Sequence, residues 1–438
     1  MRTVSKTVIG VDFGTQSARA VLVNAENGEI IYSCRKEYPY NSTPVPAIDC
    51  AENLPCATDY EMTLYELLRN VIPEEYRKTV AGICVDATSL TMVLLAEDGR
   101  ALSELDGWSE AAHARVKLWK YHRAQEKADE ALNLARNLQE PFLGRTGGSI
   151  SCEWMLPKLL EVRDEAPEIY SKIDLAMDLC EFLTFRLTGQ LVRSIGSLSY
   201  KCLWAEDLSF PERTFLNGLR AGFYEEYCHF LRGDVRKLGE CAGVLRSELT
   251  KRWGLPEQIP VATGMLDGHT SLATMGAFEP GDAALIVGTS NVCTVQDRKL
   301  QELKDVCGVA QDGMVTGSCG IDTGQSSTGN MLGWFVEHMA GWQIHREAEE
   351  RKISPHQVLA ERIQKPWENK VIAVDWWSGS RNAPCDLTLR GSMSGLEMDT
   401  KTEDIYLALL QAIACGTGTI LESLSGQGLS LIHISEPT

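Results

Sequence analysis

Ile9-Gly10-Val11-Asp12-Phe13-Gly14-Thr15-Gln16-Ser17-Ala18-Arg19-Ala20, close to the start of the chain, joins two apolar runs through a Gly-containing turn. Val8 to Asp12 and Ala18 to Val23 are short and rich in β-branched residues, which fit a pleated, half-buried surface. Asn27-Gly28 then precedes Glu29 to Ser33, and Asn-Gly between strand-like runs signals a hairpin. The chain is therefore predicted to open as an antiparallel meander. Ile83 to Asp86, Thr91 to Leu95, Asp98-Gly99 and Ala101-Leu102 repeat the same pattern. Ser109 to Leu138 and Glu153 to Thr188, rich in Ala, Leu, Glu and Lys, read as helices, so the class is mixed α/β.

Outward from that opening, Trp253 to Pro260 is a polar, Pro-containing turn, and Val261-Ala262-Thr263-Gly264 restarts a strand pattern. A domain boundary is expected here, giving residues 1–256 and 257–428. The second part repeats the first part's device: Ala283 to Val287, the turn Gly288-Thr289-Ser290, then Val292 to Val295. Two lobes built on one unit suggest a duplication. Asp312-Gly313 marks another hairpin, and Asp404 to Ser423 reads as an amphipathic helix with Leu407, Leu410, Ala414 and Ile420 on one face. Leu429 to Thr438 (LSLIHISEPT) is unlike what precedes it and resembles the translated end of a transposase adapter used in DNA sequencing. Residues 429–438 are accordingly expected to be a non-native tail; the natural sequence is expected to break off near Gly428 with its true C-terminus missing, leaving the second lobe truncated and incomplete.

The 438 residues suit two domains at roughly 100 to 200 residues each. A composition that is 44% hydrophobic and 23% charged can bury a large core. Acidic residues outnumber basic ones 60 to 42, a net −18 that repels phosphate backbones and anionic lipid, so neither nucleic acid nor a membrane surface is expected as a partner. Met1 to Thr7 leads straight into a strand-like run without a signal-peptide core, and nothing later reaches roughly 18 uninterrupted apolar residues; a cytoplasmic protein is expected. The 14 cysteines are scattered without a C-x-x-C pair and read as free, buried thiols in a reducing compartment.

No P-loop, dinucleotide fingerprint, H-E-x-x-H or G-x-S-x-G occurs. What remains is the turn Asp12-Phe13-Gly14-Thr15 and its counterpart Gly288-Thr289-Ser290. Glycine lets backbone N–H groups approach a ligand closely, and the hydroxyls of Thr15, Ser17, Thr289 and Ser290 can donate to anionic oxygens. Such a pair could hold a polyphosphate, and Asp12 at a strand end suits a hydrated Mg²⁺, which takes one or two carboxylates plus waters and phosphate oxygens. Either turn alone could equally be an ordinary Gly-containing hairpin.

In order and spacing these elements resemble the FGGY carbohydrate kinases, of the actin, Hsp70 and sugar kinase clan, and most closely the L-ribulokinases. The first phosphate motif of that family is matched by Ile9 to Ala20, the second by Val287-Gly288-Thr289-Ser290, and the catalytic-base motif by Gly264-Met265-Leu266-Asp267-Gly268-His269. Ribulokinase-like elements are Leu118-Trp119-Lys120-Tyr121-His122, Tyr200-Lys201-Cys202-Leu203-Trp204, Gly324-Gln325-Ser326 and Asp375-Trp376-Trp377-Ser378-Gly379-Ser380-Arg381. The resemblance spans nearly all of residues 8 to 428. It implies a two-lobed actin-like ATPase fold, related to ribonuclease H, and ATP-dependent conversion of L-ribulose to L-ribulose 5-phosphate in arabinose catabolism, with ATP and Mg²⁺.

The resemblance further implies Asp267 as general base, and Trp119, Lys201, Asp267 and Asp322 as sugar-binding residues. Nucleotide binding would fall to Asp12, Gly14, Thr15, Ser17, Gly288, Thr289, Ser290 and Gly333, and Mg²⁺ to Asp12 and Asp267. A homodimer is compatible with it. Taken singly, Asp267 could cap the following helix, Trp119 could be core and Lys201 surface. Two departures stand out. Asp322 replaces the glutamate usual before Gly-Gln-Ser in ribulokinases, and the family's adenosine motif is expected beyond Gly428. Xylulose, ribitol or glycerol kinases share the mechanism, and a non-catalytic sugar-binding homologue shares the fold, although a pure binder has no need of Asp267.

Overall fold

A computed structural model describes residues 6–38, 54–365, 368–381, 386, 388–429 and 433–435. The chain divides into two compact units: residues 1–143, 150–270 and 310–318 form the first, and residues 144–149, 271–309 and 319–438 the second.

In the first unit β1 (Thr7–Phe13), β2 (Ser17–Asn24) and β3 (Ile30–Glu37) form the expected antiparallel meander. Gly28, at φ 75°, makes the turn into β3. β4 (Val80–Ala87) is not half of a hairpin; it lies parallel to β1, with Asp86 beside Asp12. β5 (Met92–Leu95) leaves that sheet and pairs antiparallel with β6 (Leu175–Asp178), while β7 (Val192–Ser194) pairs parallel with β8 (Asp234–Arg236). β9 (Cys241–Val244), β10 (Pro260–Ala262) and β11 (Met265–Leu266) complete a seven-stranded sheet of order β3-β2-β1-β4-β10-β9, in which β11 also pairs with β4. This meander followed by parallel strands is the ribonuclease H-like arrangement that the resemblance implied.

Because β10 and β11 hydrogen-bond to β4, residues 257–270 belong to the first unit, contrary to the boundary expected at 256/257, and this unit also takes in residues 310–318. The helices Ala57–Asn70 and Leu179–Thr188 pack on this sheet and bury Leu64, Leu67, Phe182 and Leu183 with Ile9, Val11, Phe13 and Val85. Each such side chain is worth about 1.5–3 kcal/mol when removed from water. Gly264 is needed where this helix meets the strand, since a Cβ there would stand 2.8 Å from the Cys180 carbonyl oxygen.

Both long helices expected from composition are interrupted. Of the first, a short 3-10 turn at Ala112–Ala114 and the α-helix Gln125–Leu138 form, and between them the Lys117 backbone exchanges hydrogen bonds of 2.9 and 3.1 Å with Met92. The second divides into Met155–Glu165, a turn starting at Pro167, strand β6 and Leu179–Thr188. Proline halts the helix, and the fully buried run Leu175–Met177 satisfies its backbone against β5, a choice that a short apolar run leaves open.

The second unit repeats the hairpin as expected: β12 (Asp282–Val287) and β13 (Asn291–Asp297) are antiparallel around Gly288–Ser290. β14 (Gly308–Gln311) and β15 (Cys319–Gln325) extend the sheet; β16 (Ile372–Ala373) and β17 (Met393–Ser394) form a separate ribbon. β18 (His433–Ser435), within the expected tail, runs parallel to β12; residues 430–432 and 436–438 lie outside the described residues. The long helix Thr402–Gly426 spans two clusters, with Tyr406 and Leu409 beside Phe335 and Leu359, and Ile420 and Leu424 beside Val295 and Ile321. Ala414, expected on its apolar face, is exposed. By length and mean hydropathy this helix could cross a membrane; its two ends serve as core. All twelve described cysteines are free; five are buried, whereas Cys241 and Cys415 are exposed.

A buried ion pair fixes the first unit's interior. Arg193 donates to Glu181 at 2.8 Å and to the carbonyls of Ala176, Arg232 and Phe230, and Glu181 accepts from the Ser194 N–H. Both side chains are almost fully buried. Glu181→Ala is expected to destabilise the unit by about 3–5 kcal/mol, because it strands a buried guanidinium, and Arg193→Met with Glu181→Leu should cost less. Urea unfolding midpoints of the two variants check this; a larger loss for the double variant would contradict it.

Candidate active site

Three parallel strand ends in the first unit carry three aspartates. Asp12 stands near the end of β1, Asp86 beside it on β4, and Asp267 directly after β11, whose Met265 is the register partner of Asp86. Asp86 was not singled out from sequence, although it closes an apolar strand just as Asp12 does. Burial, then the charges of Asp12 and Asp267, push its carboxyl up to about 8, and a hydrogen bond joins it to Asp12. Asp12 itself is 42% exposed and forms a loose ion pair of 3.8 Å with Arg19. Burial also raises the Asp267 carboxyl; the Gly268 N–H, which donates to Oδ1 at 2.7 Å, opposes this.

The Gly14–Gln16 turn is tightly held. Gly14 N–H donates to the Ser17 carbonyl at 3.1 Å, and the Tyr38 hydroxyl donates to the Gly14 carbonyl at 2.9 Å. Ser17 Oγ is buried and accepts from Arg35 at 3.0 Å, so it braces the turn. Thr15 Oγ1 accepts from the Trp119 indole N–H at 3.2 Å, which joins a residue expected at the sugar to one expected at the nucleotide. An accepted bond leaves the Thr15 O–H free to donate.

Trp119 follows a segment anchored by buried charge. Lys117, fully buried, donates to Glu161 and to the Tyr121 hydroxyl, both at 2.9 Å, and Lys158 Nζ donates to the Lys117 and Leu118 carbonyls at 3.3 and 2.9 Å. Burial lowers Lys158 to about 7. Glu161 and Lys158 lie three residues apart on the helix Met155–Glu165, hence on one face. Lys201 ends the short helix Ile195–Lys201 and is 5% exposed, so the sequence alternative of a surface lysine does not hold. Its neighbour Tyr200 packs edge-on against His269, 4.6 Å between ring centres, two residues beyond Asp267.

The second unit holds the other expected residues. Gly288 and Thr289 are exposed at the β12–β13 turn, and the start of the helix Gly329–Met339 clamps it: Gly288 carbonyl accepts from Gly329 N–H (3.0 Å) and Thr328 Oγ1 (2.9 Å), and Thr289 carbonyl from Thr328 and Asn330 N–H. Gly333 lies one turn along that helix with open space where a Cβ would stand. Asp322 lies on β15 in this unit and is 7% exposed, whereas Trp119, Lys201 and Asp267 belong to the first unit. Gln325 uses its whole amide: Nε2 donates to Asp375 (2.7 Å) and to the Ile413 carbonyl (2.9 Å), while Oε1 accepts from Asn291 and Thr417. The Gly-Gln-Ser and Asp-Trp-Trp elements are thus linked inside the unit. Among the described residues no group of three or more His, Cys, Asp or Glu side chains is spaced to hold a metal ion.

Residues 7–274 match the N-terminal domain of the FGGY family of carbohydrate kinases, and residues 283–435 match its C-terminal domain. A ribulokinase from Halalkalibacterium halodurans is 33% identical over 437 residues, 98% of this chain and 78% of that protein. One from Mycolicibacterium smegmatis is 36% identical over 97% of this chain and 77% of its own length. Among solved structures, a gluconate kinase from Lactobacillus acidophilus aligns with a TM-score of 0.77 at 18% identity, covering 98% of this chain and 80% of that one. A xylulose kinase from Rhodospirillum rubrum aligns at 0.74 and 20%, covering 98% and 81%. The structures establish the shared actin-like fold; matches to both domains, with relatives a third identical along almost the whole length, establish that the chain belongs to the FGGY family of carbohydrate kinases.

Proposed function

We propose that this sugar kinase transfers the γ-phosphoryl group of ATP to a ketopentose, L-ribulose, giving L-ribulose 5-phosphate in the cytoplasm. The observation that carries the chemistry is Asp267: a carboxylate directly after a strand, held by the Gly268 N–H, on a strand that pairs with the one carrying Asp86 beside Asp12. The relatives named ribulokinases, 29–36% identical to this chain, support the choice of sugar. Asp267 takes the proton from the sugar hydroxyl as that oxygen attacks phosphorus, which makes the nucleophile without a free alkoxide. Trp119 offers a flat face to the C–H-rich side of the sugar, and Lys201 donates to its hydroxyls. Asp322 is the fourth sugar-binding residue in this reading.

Thr15 and the Gly14 turn in the first unit, and Gly288, Thr289, Ser290 and Gly333 in the second, serve the nucleotide. Asp12 and Asp267 are an oxygen-only donor set, and a set short of three ligands fits Mg²⁺, which keeps several waters and is held by one or two carboxylates plus phosphate oxygens. Bound there, Mg²⁺ supplies charge neutralisation to the phosphates. Asp86, hydrogen-bonded to Asp12, orients that carboxylate. A panel of L-ribulose, xylulose, ribitol and glycerol with ATP tests the substrate; a preference for any of the other three would replace the ketopentose reading.

Asp267→Asn should leave the sugar KM nearly unchanged and lower kcat by about 10² to 10⁴, since the amide keeps size and polarity but cannot accept the proton. Retention of more than about a tenth of wild-type kcat would remove Asp267 from the role of base.

Because burial raises Asp267 and a base must be ionised, turnover should fall as pH drops, with a midpoint above the ordinary aspartate value of about 3.9. A pH–rate profile flat down to that value would contradict this assignment.

Lys201→Met, close in length and apolar, should raise the sugar KM by much more than the ATP KM. Steady-state kinetics with each substrate varied in turn check it, and equal losses would contradict the division of roles.

A further inference from the structure

Four residues beyond Asp86, Leu90 adopts φ 62°, a left-handed conformation that a branched side chain seldom takes, and it is buried. Both of its backbone polar groups are held by buried charged side chains far away in sequence. Its N–H donates to Asp178 Oδ2 at 2.9 Å, and its carbonyl accepts from Lys158 Nζ at 2.6 Å. Asp178 and Lys158 are both fully buried. The remaining hydrogen bonds of Lys158 go to the carbonyls of Lys117 and Leu118. Three carbonyl acceptors match the three N–H groups of an ammonium.

What this arrangement holds in place lies on either side. The loop begins directly after Ala87, whose register partner Leu266 immediately precedes Asp267. Thr88 is fixed by its N–H to the Phe13 carbonyl at 2.9 Å and by its hydroxyl to that of Thr91 at 3.0 Å. Leu118 directly precedes Trp119, whose indole reaches Thr15. One ammonium therefore ties the loop after β4 to the segment that carries Trp119.

We infer that Lys158 and Asp178 are positioning residues that lock Leu90 in its left-handed turn, and so keep the loop after β4, beside Asp267, in fixed register with the Trp119 segment. Neither touches the reacting atoms. Without the lock, Leu90 relaxes to negative φ, the turn that follows β4 loosens, and the Leu118 carbonyl loses its donor. The roles of Asp267 and Trp119 in this inference rest on the kinase reading above, whereas the lock is a property of the fold.

The test uses the full chain and Lys158→Met, with two readouts. In ligand-free protein, amide hydrogen exchange across residues 88–91 should accelerate by about tenfold or more while β1 stays protected. In turnover, kcat/KM for the sugar should fall by about 30-fold or more with the ATP KM within about twofold of wild type. Leu90→Gly added to Lys158→Met should recover at least about half of that loss on a logarithmic scale, because glycine takes the left-handed conformation without a Cβ penalty. A merely structural lysine would depress both substrates alike and would not respond to glycine. Should Lys158→Met fail to fold, Asp178→Ala, which removes the acceptor of the Leu90 N–H, is read in the same two ways. Unchanged exchange at 88–91, equal loss for both substrates, or no recovery with glycine would overturn the inference. If wild-type protein phosphorylates no sugar, the kinase reading fails, and the exchange measurement still decides whether the lock exists.

Discussion

The parallel pairing of β4 with β1, which sets Asp86 beside Asp12, is the constraint on which the first unit's chemistry depends. Parallel neighbours in register point their side chains to the same face, so two carboxyls meet at one end of the sheet. Burial, with the neighbouring charges of Asp12 and Asp267, disfavours ionisation of Asp86. β11 then pairs with the same β4 and delivers Asp267 to that end. A one-residue slip of β4 would turn Asp86 to the opposite face and break the grouping.

Around this sheet end, buried charges do work that apolar packing cannot, because each satisfies main-chain carbonyls of irregular segments. Arg193 bonds three carbonyls besides Glu181, and Lys158 bonds three with no carboxylate partner among the described residues. Loops buried beneath a site carry polar groups that water cannot reach, and each must find a donor or acceptor in the protein. Long cationic side chains from neighbouring helices supply donors at the required depth. The second unit uses amides and hydroxyls for the same purpose: Gln325 spends all four of its hydrogen-bonding positions, and Thr328 and Asn330 clamp the turn at Gly288–Thr289.

Each unit thus presents a hairpin turn braced from beneath. In the first, Arg35 donates to Ser17; in the second, Thr328 donates to the Gly288 carbonyl. Bracing of this kind lowers the freedom that a turn must give up when an anion binds, which is the physical content of preorganisation. The contact between Trp119 and Thr15 joins the Trp119 segment to the Gly14–Gln16 turn within the first unit.

By itself the sequence determined the local devices: the opening meander, the repeated hairpin at Gly288–Ser290, the long helix near residue 404, and Asp12 and Asp267 within their motifs. These follow from period-2 alternation, turn residues and side-chain chemistry, all of which act within about ten residues. Tertiary structure alone decided that β4 pairs parallel with β1, that Leu175–Asp178 is a strand rather than helix, that residues 257–270 belong to the first unit, and that Lys201 is buried. Asp86, Lys158 and Asp178 became functional candidates only once strands and helices distant in sequence were side by side. The reason is that a short apolar run stabilises helix and strand about equally. The choice is settled by which backbone lies next to it, and a buried charge is recognisable only by the distant groups that satisfy it.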